Sequence, residues 1–222
     1  MNFRKNIPIV LAALFCCGVM ALVDGVIQPG YAIKSAIKIG LFLLLPFLLS
    51  RFDRSVEFGS VFRFHRQGFL AALGLGVCLY ALILGGYLLL RNFIDFSGIV
   101  DALSSNAGVN KGNFLLVSLY ISFVNSLLEE FFFRGFLFSN LKNSASRPFA
   151  WWFSSGIFAL YHVAMMIGWF HPLLLLLVIA GLTAGGMIFN YLNEKLNTLF
   201  GSWIVHMFAN FAINTIGFIL MG

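Results

Sequence analysis

Glu129 and Glu130 stand side by side in a strongly apolar stretch, and Arg134 follows five and four residues later. A charged side chain at the centre of a bilayer costs on the order of 3 kcal/mol on insertion scales, so such acids are by default functional candidates. At about 100° per residue the two carboxylates diverge on a helix. Glu130 is spaced to pair with Arg134, and Glu129 turns toward some other segment. Two histidines fall inside other apolar stretches: His162, four residues after Phe158, and His206. Ser202, His206, Asn210 and Asn214 recur every fourth residue and so form one polar stripe, which needs partners inside a bundle. Were Glu129, His162, His206 and Asn210 to meet, their chemistry would be hydrolytic. The carboxylate would take a proton from water, the imidazoles would orient that water and donate to the scissile group, and the amide would stabilise the oxyanion. No serine or cysteine adjoins a histidine, which favours activated water over a covalent intermediate. The bland alternatives are histidines that only pack and a charge cluster that protrudes into water. The run Phe131, Phe132, Phe133, Phe136 and Phe138 argues against a water-exposed helix at that point.

These residues need elements to position them, and composition says of what kind. The 222 residues are 60% hydrophobic and only 10% charged, too few polar groups to cover a water-soluble globule. A helix crossing a bilayer uses about 20 residues. Apolar runs at 7–24, 31–50, 68–90, 112–141, 149–168, 172–191 and 198–220 predict seven spans. The expected fold is all-α, a polytopic transmembrane helical bundle forming a single integral membrane domain over residues 1–222, with the motif-bearing half at 112–220. Pro8, Pro29, Pro148 and Pro172 lie at or near predicted span starts, while Pro46 lies inside a run and is expected to kink it. Gly181 and Gly185, beside Ala180 and Ala184, are spaced to let the sixth helix approach a neighbour closely.

The formal charge of +6 reads as a topology signal rather than a nucleic-acid signature. Arg4, Lys5, Arg51, Arg54, Arg63, Arg66, Lys142, Arg147 and Lys195 fall on one side of the predicted spans, against Arg91 and Lys111 on the other. This places the N-terminus in the cytoplasm and the C-terminus outside. Lys34 and Lys38 run against that map and are expected to snorkel toward the outer headgroups. Asp24 is placed at a span edge, and Asp53, Glu57, Asp95, Asp101 and Glu194 in loops, with His65 in a basic loop and His171 before a helix-starting proline. Cys16, Cys17 and Cys78 lie in apolar runs and imply no disulfide framework. The first span reads as a retained helix, since no small-x-small cleavage site follows it. Gly74 and Gly76 extend to no dinucleotide fingerprint, so neither nucleotide nor nucleic acid is expected as a partner.

Glu129-Glu130-Phe-Phe-Phe-Arg134, Phe158-Ala-Leu-Tyr-His162 and His206-Met-Phe-Ala-Asn210 resemble the three ordered motifs, EExxxR, FxxxH and HxxxN, of the CAAX-protease and bacteriocin-processing family of intramembrane proteases. The resemblance covers residues 129–210 and is carried by all three motifs in order on three separate spans. It implies an intramembrane endopeptidase, of the compact prokaryotic type, acting on a membrane-associated protein or peptide. In that reading Glu129 activates water, His162 and His206 position it, His206 and Asn210 line the oxyanion pocket, and Glu130, Arg134 and Phe158 support the site. Glu129, His162 and His206 would also be a reasonable zinc set, but HExxH is absent and a metal-free glutamate mechanism is favoured. Prenyl-tail cleavage, peptide maturation and bacteriocin immunity are all roles within the family, and the short loops count against the first. The alternative is a non-catalytic membrane binding or immunity protein that retains the motifs. Ion or proton transport would use the same acids and histidines, but no repeat or pair of broken helices accompanies them.

Overall fold

The computed structural model describes residues 3–54, 56–58, 62–63, 66–96, 109–166 and 171–221. His65, Asp101 and the last two residues of the fifth predicted span lie outside the described residues. Among the described residues there is no strand, and seven helices are long and apolar enough to cross a membrane: α1 (Asn6–Ile27), α2 (Tyr31–Phe52), α3 (Gly68–Leu90), α4 (Phe114–Ser144), α5 (Arg147–Met166), α6 (Pro172–Leu196) and α7 (Leu199–Met221). The protein is therefore an all-helical, multi-pass membrane protein.

Side-chain exposure follows from a lipid surround. Large apolar side chains lie exposed along every span, Leu82 and Leu116 at 71% among them, and so extended an apolar surface suits lipid rather than water. The reverse holds at the centre. Every residue of α4 from Leu128 to Phe138 is buried, so this stretch has neighbours on all sides. Phe132 stacks on Phe42 of α2 at 4.2 Å, and Phe133 meets Phe158 of α5 edge-on at 5.2 Å. Glycines permit the closest approaches: a Cβ on Gly76 of α3 would lie 2.7 Å from the Phe208 ring of α7. Gly186 of α6 similarly faces Ser155 of α5, with a Cβ position 3.0 Å from the Ser155 Cα. Gly181 and Gly185, expected to serve this purpose, have nothing within 4 Å of a Cβ position. The small-residue spacing was real, but the helix is rotated so that Gly186, Phe189, Asn190 and Asn193 face inward instead.

Helix ends obey local chemistry. His171 accepts a hydrogen bond from the Leu173 amide ahead of Pro172, and Asn197 ends α6 in the left-handed conformation at φ 49°. Among the described residues four stretches wind as π-helix: Val23–Ile27, Gly40–Leu44, Ile121–Asn125 and Phe131–Phe138. Pro46 lies just after the second of these, in the first turn of the α-helical segment Leu45–Phe52, where its missing N–H costs least. The change of winding accommodates the proline within one continuous span.

Both lysines of α2 depart from expectation. Lys34 pairs with Asp24 of α1 at 2.9 Å, and Lys38 pairs with Glu129 of α4 at 2.5 Å, so neither ammonium reaches toward headgroups. Asp24 lies three residues before the end of α1 and is buried. An acid on a neighbouring helix satisfies a buried ammonium at shorter reach than the membrane surface does. The three cysteines are free.

Candidate active site

α4 turns its two acids about 100° apart, as neighbours on the short α-helical segment Ser126–Glu130 between two π-helical stretches. Glu130 turns toward Arg134, whose Nη1 lies 3.2 Å from its Oε1 four residues on. Both side chains are fully buried. Arg134 Nη2 donates to the Gly186 carbonyl at 3.2 Å, and the guanidinium lies over the rings of Phe158 at 4.3 Å and Phe189 at 5.0 Å. One buried cation thus ties α4 to α5 and α6.

Glu129 turns toward three other helices. Its Oε1 receives Lys38 Nζ at 2.5 Å and Asn125 Nδ2 at 3.0 Å, while Lys38 also donates to Asn125 Oδ1 at 2.5 Å. Its Oε2 faces the two imidazoles, with His162 Nε2 at 3.7 Å and His206 Nε2 at 3.6 Å. The far sides of both rings are fixed by acceptors. His162 Nδ1 donates to the Phe158 carbonyl at 2.7 Å, and His206 Nδ1 donates to Glu130 Oε1 at 3.0 Å. A neutral imidazole carries one proton, so each ring keeps it on Nδ1 and turns a bare Nε2 toward Glu129. Three lone-pair-bearing atoms from α4, α5 and α7 therefore converge.

Aromatic rings hold the imidazoles. Phe158 meets His162 at 4.7 Å and His206 at 5.9 Å, both edge-on, and Phe189 stacks on His206 at 5.0 Å. Phe158 therefore contacts three site residues with its ring and fixes one with its carbonyl.

The rest of the α7 stripe faces α4. Asn210 Nδ2 donates to the Ile121 carbonyl at 3.2 Å, and Asn214 Nδ2 donates to the Ser118 carbonyl at 3.2 Å and to Ser122 Oγ at 3.0 Å. Asn210 accordingly braces the π-helical turn Ile121–Asn125 from which Asn125 reaches Glu129. Ser202 bonds back to the Leu199 carbonyl of its own helix.

Four contributors were not singled out from the sequence: Lys38, Asn125, Gly186 and Phe189. Asn125 had a usable signal, since it precedes Glu129 by four residues and so shares its helix face. Phe189 and Gly186 had none, because apolar residues and glycines abound in every span.

Residues 111–212 match the family model described as type II CAAX prenyl endopeptidase Rce1-like, a stretch that holds Glu129, Glu130, Arg134, Phe158, His162, His206 and Asn210 and excludes Lys38. No curated protein and no solved structure matches the chain. The three motifs lie on helices that meet at Glu129, and this match runs across all of them, so over residues 111–212 the chain is similar to the CAAX-protease and bacteriocin-processing family of intramembrane proteases.

Proposed function

We propose that the protein is an intramembrane endopeptidase that hydrolyses a peptide bond of a membrane-associated protein or peptide with water activated by Glu129. The observation that carries this reading is the convergence of His162 Nε2 and His206 Nε2 on Glu129 Oε2, at 3.7 and 3.6 Å; with both rings neutral and their proton on Nδ1, none of the three atoms carries a proton. Water supplies two protons and satisfies such a set. As the water oxygen bonds to the peptide carbonyl carbon, one proton passes to Glu129 Oε2 and the carbonyl becomes an oxyanion. The second proton stays on the attacking oxygen, where it donates a hydrogen bond to an imidazole Nε2. Collapse reforms the carbonyl and breaks the C–N bond, and the departing nitrogen takes the proton held at Glu129, so one water is consumed and an acid and an amine result. Asn210 supports the site through its hold on Ile121, which uses one of its two amide N–H groups and leaves the other to serve the oxyanion.

The donor types of Glu129, His162 and His206 are ones that zinc accepts. We favour a scheme without it, because the Lys38 ammonium already lies 2.5 Å from the same carboxylate, where a second cation would meet like-charge repulsion. The protein's own acid and imidazoles therefore carry the scheme.

The seven spans and the distribution of basic residues support a place in the cell membrane with the N-terminus in the cytoplasm. The decisive experiment is peptide profiling of membranes carrying the active protein or its Glu129→Gln variant. Glu129→Gln, and likewise His162→Ala or His206→Ala, should accumulate normally yet lower cleavage by about 10²–10⁴-fold, the contribution of a general base. Unchanged turnover by purified Glu129→Gln would remove the proposed base.

A further inference from the structure

Lys38 is the one site contact from α2, and it comes from outside the matched stretch 111–212. Its side chain is only 6% exposed in a helix that is otherwise largely turned to lipid, so its burial needs a reason. Counting formal charges supplies one. Glu129 and Glu130 contribute two negative charges, and Lys38 and Arg134 two positive ones. The cluster is neutral with both imidazoles uncharged. Asp24 and Lys34, the next charges along α1 and α2, cancel each other at 2.9 Å.

The two cations divide the work by acid. Arg134 serves Glu130 alone, whereas Lys38 holds Glu129 by Oε1 and leaves Oε2 to the histidines. Asn125 closes a triangle with Lys38 and the same Oε1, and the ammonium lies 5.0 Å from the centre of the Tyr161 ring and 5.4 Å from that of Phe42. Three contacts therefore fix the ammonium, and through it the rotation of the carboxylate.

We infer that Lys38 is a positioning residue for the hydrolysis proposed above: it pins one oxygen of Glu129 so that the other is the base that meets water and the two imidazoles. This rests on the peptidase reading. It acts through Glu129 and touches no substrate. Without it only the Asn125 amide holds Oε1, the carboxylate rotates more widely and can capture an imidazole with either oxygen, and the near-attack geometry is lost although substrate still binds.

The test uses the full-length protein in detergent. Its probe is the most abundant cut peptide that profiling finds with the active protein and not with Glu129→Gln, resynthesised across the cut with a quenched fluorophore. Lys38→Met should lower kcat at least tenfold and leave KM within about twofold, the signature of an interaction that matters in the transition state. Lys38→Ala should behave alike and recover part of its kcat when methylammonium is supplied, which a merely structural loss would not do. Should Lys38→Met fail to accumulate, Lys38→Gln, similar in reach and uncharged, is read in its place with the same expected split. Wild-type kcat in Lys38→Met or Lys38→Gln would overturn the positioning role while leaving the peptidase reading intact. If no peptide depends on Glu129 at all, the peptidase reading fails and takes this role with it.

Discussion

Arg134 is among the largest side chains that solvent does not reach, and it is charged. Burial of a cation is tolerable only with a partner close by, and Glu130 at 3.2 Å is that partner. The two aromatic faces and the Gly186 carbonyl complete its surroundings. Removal of one member of such a pair leaves the other charge uncompensated, at a cost of about 3–5 kcal/mol. Arg134→Met should therefore destabilise the protein by about that amount, read as a lowered thermal midpoint in detergent. Adding Glu130→Gln to Arg134→Met should recover most of it, since a neutral pair leaves no orphan charge. A double variant no more stable than Arg134→Met would show that the guanidinium acts by shape and not by charge. Arg134→Lys would not be conservative, because a single ammonium cannot reach Glu130 and Gly186 while stacking on two rings. This pair was legible in the sequence, for a spacing of four on one helix needs nothing beyond the helical repeat. The pair Lys38 and Glu129 was not: 91 residues separate them, and only the packing of α2 on α4 brings them together.

Helices place these side chains through a few close approaches. Gly186 brings α6 against α5 and frees its carbonyl for Arg134, and a Cβ there would also lie 3.2 Å from Arg134 Nη2. Gly186→Ala must push against the Ser155 backbone and should cost about 1–3 kcal/mol, as overpacking of a well-filled interior does. Gly181→Ala and Gly185→Ala meet nothing within 4 Å and should leave thermal stability unchanged or slightly raised, given the better helix propensity of alanine. Equal losses at all three positions would contradict the rotation of α6 described above. The sequence stated that α6 exists but not which way it faces, because a helix apolar on every side has no periodic stripe to read. The π-helical stretches escaped for a related reason. Phe131–Phe138 is apolar at all but two positions, so nothing in its pattern marks a change in residues per turn. Span lengths, by contrast, followed from apolar run length alone, and α3 begins and ends where the run at 68–90 does.

At the scale of the whole molecule, the seven helices among the described residues that are long and apolar enough to cross a membrane would, if each crosses once, put Phe3 and Met221 on opposite sides of it. The structure also removes the main objection to the orientation proposed from basic residues. Lys34 and Lys38 counted against it as free cations near the outer face, but each is neutralised by a buried acid. Arg51 at the end of α2, Arg54 and Arg66 between α2 and α3, Lys142 at the end of α4, Arg147 at the start of α5 and Lys195 at the end of α6 then dominate one side in the proposed orientation. The prediction is read with a membrane-impermeant thiol reagent on intact cells, in a Cys78→Ser background because Cys78 is exposed while Cys16 and Cys17 are buried. Met221→Cys should label from outside, and Arg54→Cys only after the membrane is opened. Labelling of both from outside would mean an even number of crossings between them, which α3 to α7 do not allow. The reversed pattern would keep the fold and invert its consequence. Glu129 lies fifteen residues from either end of α4, on the order of 20 Å at the helical rise, so the bond to be cut must enter the bilayer from one face or the other.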